Sequence, residues 1–178
     1  KGSFCILPIL CSFLLLLDYL STGLFDMDVR GKTGMKQDTV TAAKLLYERQ
    51  ASFVLCKGKT TVIETEAGLG PLFSVLKKGE NFSGFCAADK IVGKAAAFLY
   101  VRLGVQEVYA PIMSDAGIYT LARHGIYPIC ERSVVDIMNQ DETNLSPIEK
   151  LVEELCDVNQ AVSVLEQYFR QEKSRIAV

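Results

Sequence analysis

The sequence predicts an α/β domain in three layers, with a mixed β-sheet flanked by helices. Three observations carry this. First, Ser52 to Cys56 and Thr60 to Thr65 are short apolar or β-branched runs on either side of Lys57-Gly58, which reads as a hairpin turn with glycine at positive φ. Second, Phe85 to Ala110 reads as strand, long apolar helix, strand. Third, amphipathic helical periodicity precedes and follows these runs. Two antiparallel strands followed by strand–helix–strand units make a mixed sheet whose faces helices must cover.

In chain order, Asp38 or Thr39 can cap a first helix running to about Gln50, with Val40, Ala43, Leu46 and Tyr47 on one face. The hairpin follows. Gly68-Leu69-Gly70-Pro71 breaks the chain, and Pro71 suits the first turn of a short helix that Gly79 ends. Phe85 to Ala88 is a short strand. Asp89 then caps a central helix over about Lys90 to Leu103, stopped by Gly104. Its Ile91, Ala95, Phe98, Leu99 and Leu103 form a wide apolar face, and Ala95 to Ala97 permit close packing on a sheet. Val105 to Ala110 is the next strand. Ser114 or Asp115 caps a helix ending at Gly125, and Ile126 to Cys130 returns as a strand. Val134 to Met138 reads as a helical turn and Asn139 to Leu145 as a polar loop. Ser146-Pro147-Ile148-Glu149 has the form of a capping box, opening a helix to about Leu155. Asn159 caps a last amphipathic helix, and Lys173 to Val178 reads as a frayed end.

At 178 residues, 49% hydrophobic and 22% charged, the chain suits a single domain. A domain of this size buries roughly 70% of its unfolded surface, so neither metal nor disulfide is needed to hold it. A net charge of −2, from 19 basic and 21 acidic residues, argues against a nucleic-acid partner, which needs clustered Lys and Arg. The six cysteines form no CxxC pair, and those of the body, Cys56, Cys86, Cys130 and Cys156, read as buried reduced thiols of a cytoplasmic protein.

Residues 1–34 stand apart. Phe4 to Leu17 is apolar apart from Ser12, about 14 residues against the roughly 20 that span a bilayer. With Lys1 before it and Ser21-Thr22-Gly23 after, it has the outline of a signal peptide, which would mean export. The favoured alternative is a spurious upstream segment, because Met35 leads straight into a capped helix. On that reading, residues 35–178 are the domain, with no membrane partner, and expression from Met35 gives a folded protein. Two phosphate-binding motifs fail. Gly31-Lys32-Thr33 has Asp26 where a P-loop needs glycine, and Gly68-Leu69-Gly70 has Phe73 where a dinucleotide fingerprint needs its third glycine.

The element order resembles the cytidine-deaminase-like fold. Ala88-Asp89-Lys90-Ile91-Val92-Gly93-Lys94-Ala95-Ala96-Ala97, then Asn139-Gln140-Asp141 and Pro147-Ile148-Glu149-Lys150, resemble one prokaryotic branch of it, the domain-of-unknown-function family numbered 1893. The resemblance covers about Met35 to Phe169. Against that family's pattern, Ser146 replaces a common cysteine, and Glu142 and Asn144 replace glycines. No thiol therefore stands at that position for chemistry. Zinc deaminases carry His or Cys, one residue, then Glu at the central helix start, and Pro-Cys-x-x-Cys at the next. The corresponding stretches here, Ala87-Ala88-Asp89 and Pro111-Ile112-Met113-Ser114, hold neither His nor Cys. The resemblance thus implies the fold without zinc, and no cofactor is expected.

The candidate site residues are polar groups at helix starts and in the polar loop. Asp89 and Lys94 are the candidate catalytic pair. Asp89, Lys94, Ser114, Asn139 and Asp141 are the candidate ligand-binding set, and none is a metal ligand. Each has a plain alternative. Asp89 and Ser114 would cap helices, worth about 1 kcal/mol each. Lys94 would extend along the exposed stripe of its helix or meet the loop at Asn139 to Asp141. Asn139 and Asp141 would make Asx turns. Gly93 inside a helix costs about 1 kcal/mol relative to Ala, so a reason for it is expected, either the approach of a backbone or ligand or tight helix–helix packing. His124, the single histidine, sits at a helix end, and Glu149 completes the capping box. Three functions remain open: a metal-free module binding a small anionic or nucleotide-like ligand at the helix starts, an enzyme using Asp89 and Lys94 as acid and base, and a non-catalytic interaction protein. Oligomeric state is open as well.

Overall fold

The computed structural model describes residues 34–139 and 145–176. The leader reading of residues 1–34, apart from Gly34, and most of the polar loop with Asp141 therefore fall outside the described residues. Lys36–Val178 is one compact unit. Its elements are α1 (Gln37–Glu48), β1 (Phe53–Lys57), β2 (Thr60–Glu64), α2 (Gly70–Lys77), β3 (Cys86–Asp89), β4 (Ile91–Val92), α3 (Lys94–Leu103), β5 (Glu107–Ser114), α4 (Asp115–Arg123), β6 (Tyr127–Val134), α5 (Pro147–Val152) and α6 (Val158–Ile176).

The sheet is mixed and six-stranded, with β2, β1, β3 and β5 side by side. The hairpin pairs Lys57 with Thr60, so the turn is Gly58-Lys59 rather than Lys57-Gly58, with Gly58 at φ 57°. β1 runs antiparallel to β3, while β3, β4 and β6 all run parallel to β5. β4 continues β3 at the same offset to β5, so the two are one strand interrupted at Lys90.

Helices cover both faces. α1 packs on β1 and β3, anchored by Glu107, whose Oε2 accepts the Thr39 hydroxyl at 2.5 Å and the Lys36 N–H at 2.9 Å. Asp38 does not cap α1; its Oδ1 accepts the Gly58 N–H at 3.0 Å. On the opposite face, Phe53, Leu55, Ala87 and Val108 join Leu72, Phe98, Leu99 and Leu165 in the main core. The wide apolar face expected of the central helix follows: six of the seven residues from Lys94 to Tyr100 are buried, the exception being Lys94 itself. Alternate residues of the strands serve the two faces, as period-2 geometry requires.

Several boundaries differ from expectation. The central helix begins at Lys94, not Lys90, because the apolar residues Ile91 and Val92 first extend the sheet. β5 runs on through Pro111 to Ser114, and β6 runs through Val134, where a helical turn was expected. α5 stops at Val152, and α6 starts two residues early, with Asp157 rather than Asn159 capping it: Asp157 Oδ1 accepts the Gln160 N–H at 2.8 Å. α6 also continues through Ile176, into the segment read as frayed. Cys56 and Cys86 are buried free thiols and Cys130 is half-buried, but Cys156 is exposed, contrary to the reading of all four as buried.

Candidate functional site

Asp89 is the last residue of β3, where the strand breaks. It is not a helix cap: the residue before α3 is Gly93. Its carboxylate turns to the face of the sheet covered by α3. Oδ2 accepts the Tyr100 hydroxyl at 2.6 Å, and Oδ1 accepts the Ile91 N–H at 3.2 Å. Burial pushes the Asp89 carboxyl up to about 6, although the Tyr100 hydroxyl, the N–H groups of Ile91 and Lys90 and the Lys90 charge all pull the other way. Tyr100 is fully buried, and that burial, reinforced by Asp89, holds its hydroxyl well above the ordinary tyrosine range. It therefore stays protonated and donates.

Asp89 lines a cavity of ≈ 240 Å³. Phe53, Leu69, Leu72 and Ile91 give it apolar walls, and Ser52, Thr65 and Lys90 add polar groups. Ala67 and Gly68, in the loop between β2 and α2, complete it. A carboxylate set among apolar walls in a concavity is the arrangement from which sites are built.

The helix starts are occupied by the protein itself. Glu149, from α5, places its carboxylate at the start of α3, where Oε2 accepts the Lys94 N–H at 2.8 Å and Oε1 the Ala95 N–H at 3.1 Å. The expected capping box is absent, since the Ser146 side chain makes no cap bond and Glu149 reaches across to another helix instead. Gly93 is what admits it: a Cβ there would stand 2.4 Å from Oε1. A Cβ on Gly117, in the first turn of α4, would stand 2.9 Å from the Val92 carbonyl oxygen, so both glycines serve close approach. Burial raises the Glu149 carboxyl above its ordinary range, while the two N–H groups and the Lys94 charge act against that rise. Ser114 caps α4 as expected, its Oγ accepting the Gly117 N–H at 3.0 Å.

Among the described residues, the acceptor of Lys94 lies at the end of α5. The Lys94 Nζ donates to the Glu153 carbonyl there and lies 6.0 Å from the Phe98 ring. Asn139 is half-buried beside the Met138–Leu145 bridge, and Asp141 lies outside the described residues. His124 ends α4, its Nδ1 2.8 Å from the Thr120 carbonyl oxygen. Of the candidate site residues among the described residues, only Asp89 lines the cavity; Lys94 and Ser114 belong to the two adjoining helix starts. Sequence reasoning missed Tyr100, Ser52, Thr65 and the cross-helix role of Glu149. Tyr100 had a signal, because a tyrosine on a helix buried nearly all round needs a partner for its hydroxyl.

Among the described residues, no three His, Cys, Asp or Glu side chains gather so as to hold a metal ion. No helix among them is long and apolar enough to cross a membrane. The fold and its cavity define an α/β domain with a mixed sheet between helices. Residues 41–169 match a domain of unknown function, DUF1893, and the chain belongs to that family. A solved DUF1893 family protein from Thermotoga maritima is similar, with a TM-score of 0.70 at 21% identity, over 76% of this chain and 93% of that one. A diaminohydroxyphosphoribosylaminopyrimidine deaminase/5-amino-6-(5-phosphoribosylamino)uracil reductase from Thermotoga maritima matches with a TM-score of 0.36 at 15% identity, over 51% of this chain and 34% of that one. No curated protein matches.

Proposed function

We propose that this chain is a metal-independent, cytoplasmic small-molecule-binding protein whose ligand sits in the cavity at Asp89. The observation that carries the proposal is a carboxylate, anchored by a buried tyrosine, in the wall of a largely apolar cavity. At ≈ 240 Å³ the cavity is somewhat below the roughly 300–1,000 Å³ of typical ligand pockets, so the ligand is small. The site moves from the helix starts to the broken end of β3, because Glu149 already takes the first two N–H groups of α3 and Ser114 the Gly117 N–H of α4. The Lys94 ammonium is engaged by the Glu153 carbonyl, which favours binding over acid/base catalysis by Asp89 and Lys94. The open cavity favours a ligand over a purely structural role, and the slight net negative charge favours a small molecule over nucleic acid.

The test is ligand-observed NMR with a panel of small neutral, cationic and anionic compounds. Ala67 and Thr65 line the cavity and are otherwise exposed, so Ala67→Phe and Thr65→Trp add a ring at its mouth. At least one compound should bind the parent and lose at least fivefold in affinity in one of the two variants. Binding by no compound, or binding that both variants leave unchanged, would overturn the proposal.

A further inference from the structure

The polar atoms facing the cavity at Asp89 limit what it can hold. Ser52 Oγ already donates to the Glu64 carbonyl at 2.9 Å, so its hydrogen is taken. Asp89 Oδ2 receives the Tyr100 hydroxyl at 2.6 Å, whereas Oδ1 receives a longer bond of 3.2 Å from the Ile91 N–H, and the Lys90 N–H also acts on the carboxylate. A carboxylate oxygen offers two lone pairs, so Oδ1 retains acceptor capacity toward a ligand. Leu69 and the exposed Ile91 give it apolar contact and no donor from their side chains, with the almost fully buried Phe53 and Leu72 adding little surface. Such a wall rewards a flat apolar body whose edge carries N–H groups and positive charge. Burial is what disfavours the ionised carboxylate, and a delocalised cation in the cavity offsets that cost.

We infer that the cavity binds a small amidinium- or guanidinium-type cation, its N–H edge on Asp89 and its apolar part against Leu69 and Ile91. The inference rests on the cavity being a ligand site and adds the chemical class of the ligand. It reverses the sign expected from the sequence, where an anion at the helix starts was the leading reading. A guanidinium or amidinium matches carboxylate geometry better than a compact ammonium does, because its planar fork presents parallel N–H groups.

The charged groups facing Asp89 are few. Lys90 adjoins it and also lines the cavity, its ammonium donating to the Gln50 carbonyl at 3.5 Å; Tyr100 comes from α3 and stays neutral, and the residues just before β1 and just after β2 contribute the uncharged Ser52 and Thr65. The pH dependence of cation binding should therefore follow Asp89. With its carboxyl near 6, lowering the pH from 7.5 to 5 cuts the ionised fraction about tenfold, and affinity for a cation falls with it.

The experiment titrates benzamidine and benzoate, matched in shape and opposite in charge, into the parent and Asp89→Asn by NMR at pH 7.5 and pH 5. Benzamidine should bind the parent, weaken about tenfold at pH 5 and bind Asp89→Asn at least tenfold more weakly, while benzoate should not bind at pH 7.5. Asp89→Asn keeps the side-chain shape, and its melt at each pH establishes that it is folded. Benzoate binding as tightly as benzamidine at pH 7.5 would overturn the assignment, as would benzamidine binding insensitive to pH and to Asp89→Asn. If neutral compounds bind, are blocked by Ala67→Phe and benzamidine fails, the cavity stands as a ligand site and the cation class falls. If nothing binds, both fall.

Discussion

Glu149 and Gly93 fit as one unit. The carboxylate lies 2.4 Å from where a Cβ of residue 93 would stand, and it holds the first two N–H groups of α3 at 2.8 and 3.1 Å. The start of the central helix is thus capped from a helix more than fifty residues further on. Gly93→Ala should push the carboxylate away, at a cost of about 1–3 kcal/mol, the scale of a lost hydrogen bond to a charged group. Glu149→Ala should cost a similar amount. Because both changes break one contact, the double variant should cost less than the two together. Urea denaturation of the four proteins checks this, and strict additivity would contradict it.

Gly117→Ala inverts an ordinary rule. Replacing a helical glycine by alanine usually stabilises a helix by about 1 kcal/mol. Here the new Cβ would meet the Val92 carbonyl oxygen at 2.9 Å and the Gly93 carbonyl carbon and oxygen at 3.1 Å, all of them backbone atoms that cannot rotate aside. The substitution should lower the melting temperature. An increase would show that the two helix starts have more room than these contacts allow.

Asp89 should leave a signature in stability against pH. The ordinary carboxyl titrates at 3.8, and burial lifts this one to about 6. The folded protein therefore holds the proton more tightly than the unfolded chain does. That contribution is fully present below about pH 4 and is lost as the pH rises to about 6. Asp89→Asn has no such proton to lose. The melting temperature of the parent relative to Asp89→Asn should fall between about pH 4 and pH 6 and stay level above. A constant difference across this range is the contrary result.

Lys94→Met tests whether this lysine serves structure or ligand. Its ammonium meets the Glu153 carbonyl at the end of α5, where a positive charge contributes about 0.3–1 kcal/mol. The variant should lose about that much stability and bind benzamidine as the parent does. A change in affinity of more than threefold, with stability unchanged, would return Lys94 to the site.

The sheet, its helices and the absence of His and Cys from the zinc-ligand positions were legible in sequence because they rest on local periodicity and residue type. Phe53 to Cys56, Thr60 to Glu64 and the apolar residues of α3 each announce their own structure. The site was only half legible. Asp89 was singled out as a candidate site residue, but placed at a helix start, since Asp before a long apolar run is the usual signature of one. Ile91 and Val92 are equally good strand residues, and pairing with Ile112 and Met113 decided in favour of the sheet. Glu149 matched a capping box at short range, yet the buried N–H groups of Lys94 and Ala95 won its carboxylate. Long-range competition for one side chain leaves no trace in spacing. The cavity walls come from β1, the Gly68 loop and α2, which no local pattern joins to Asp89.

The most direct test of the account is a chemical-shift map of isotope-labelled protein titrated with benzamidine at pH 7.5. The largest amide shifts should fall on Ser52, Thr65, Gly68, Leu69, Asp89 and Ile91, around the cavity. Shifts concentrated instead on Lys94, Ala95, Ser114 and Gly117 would place the ligand at the helix starts and contradict the account.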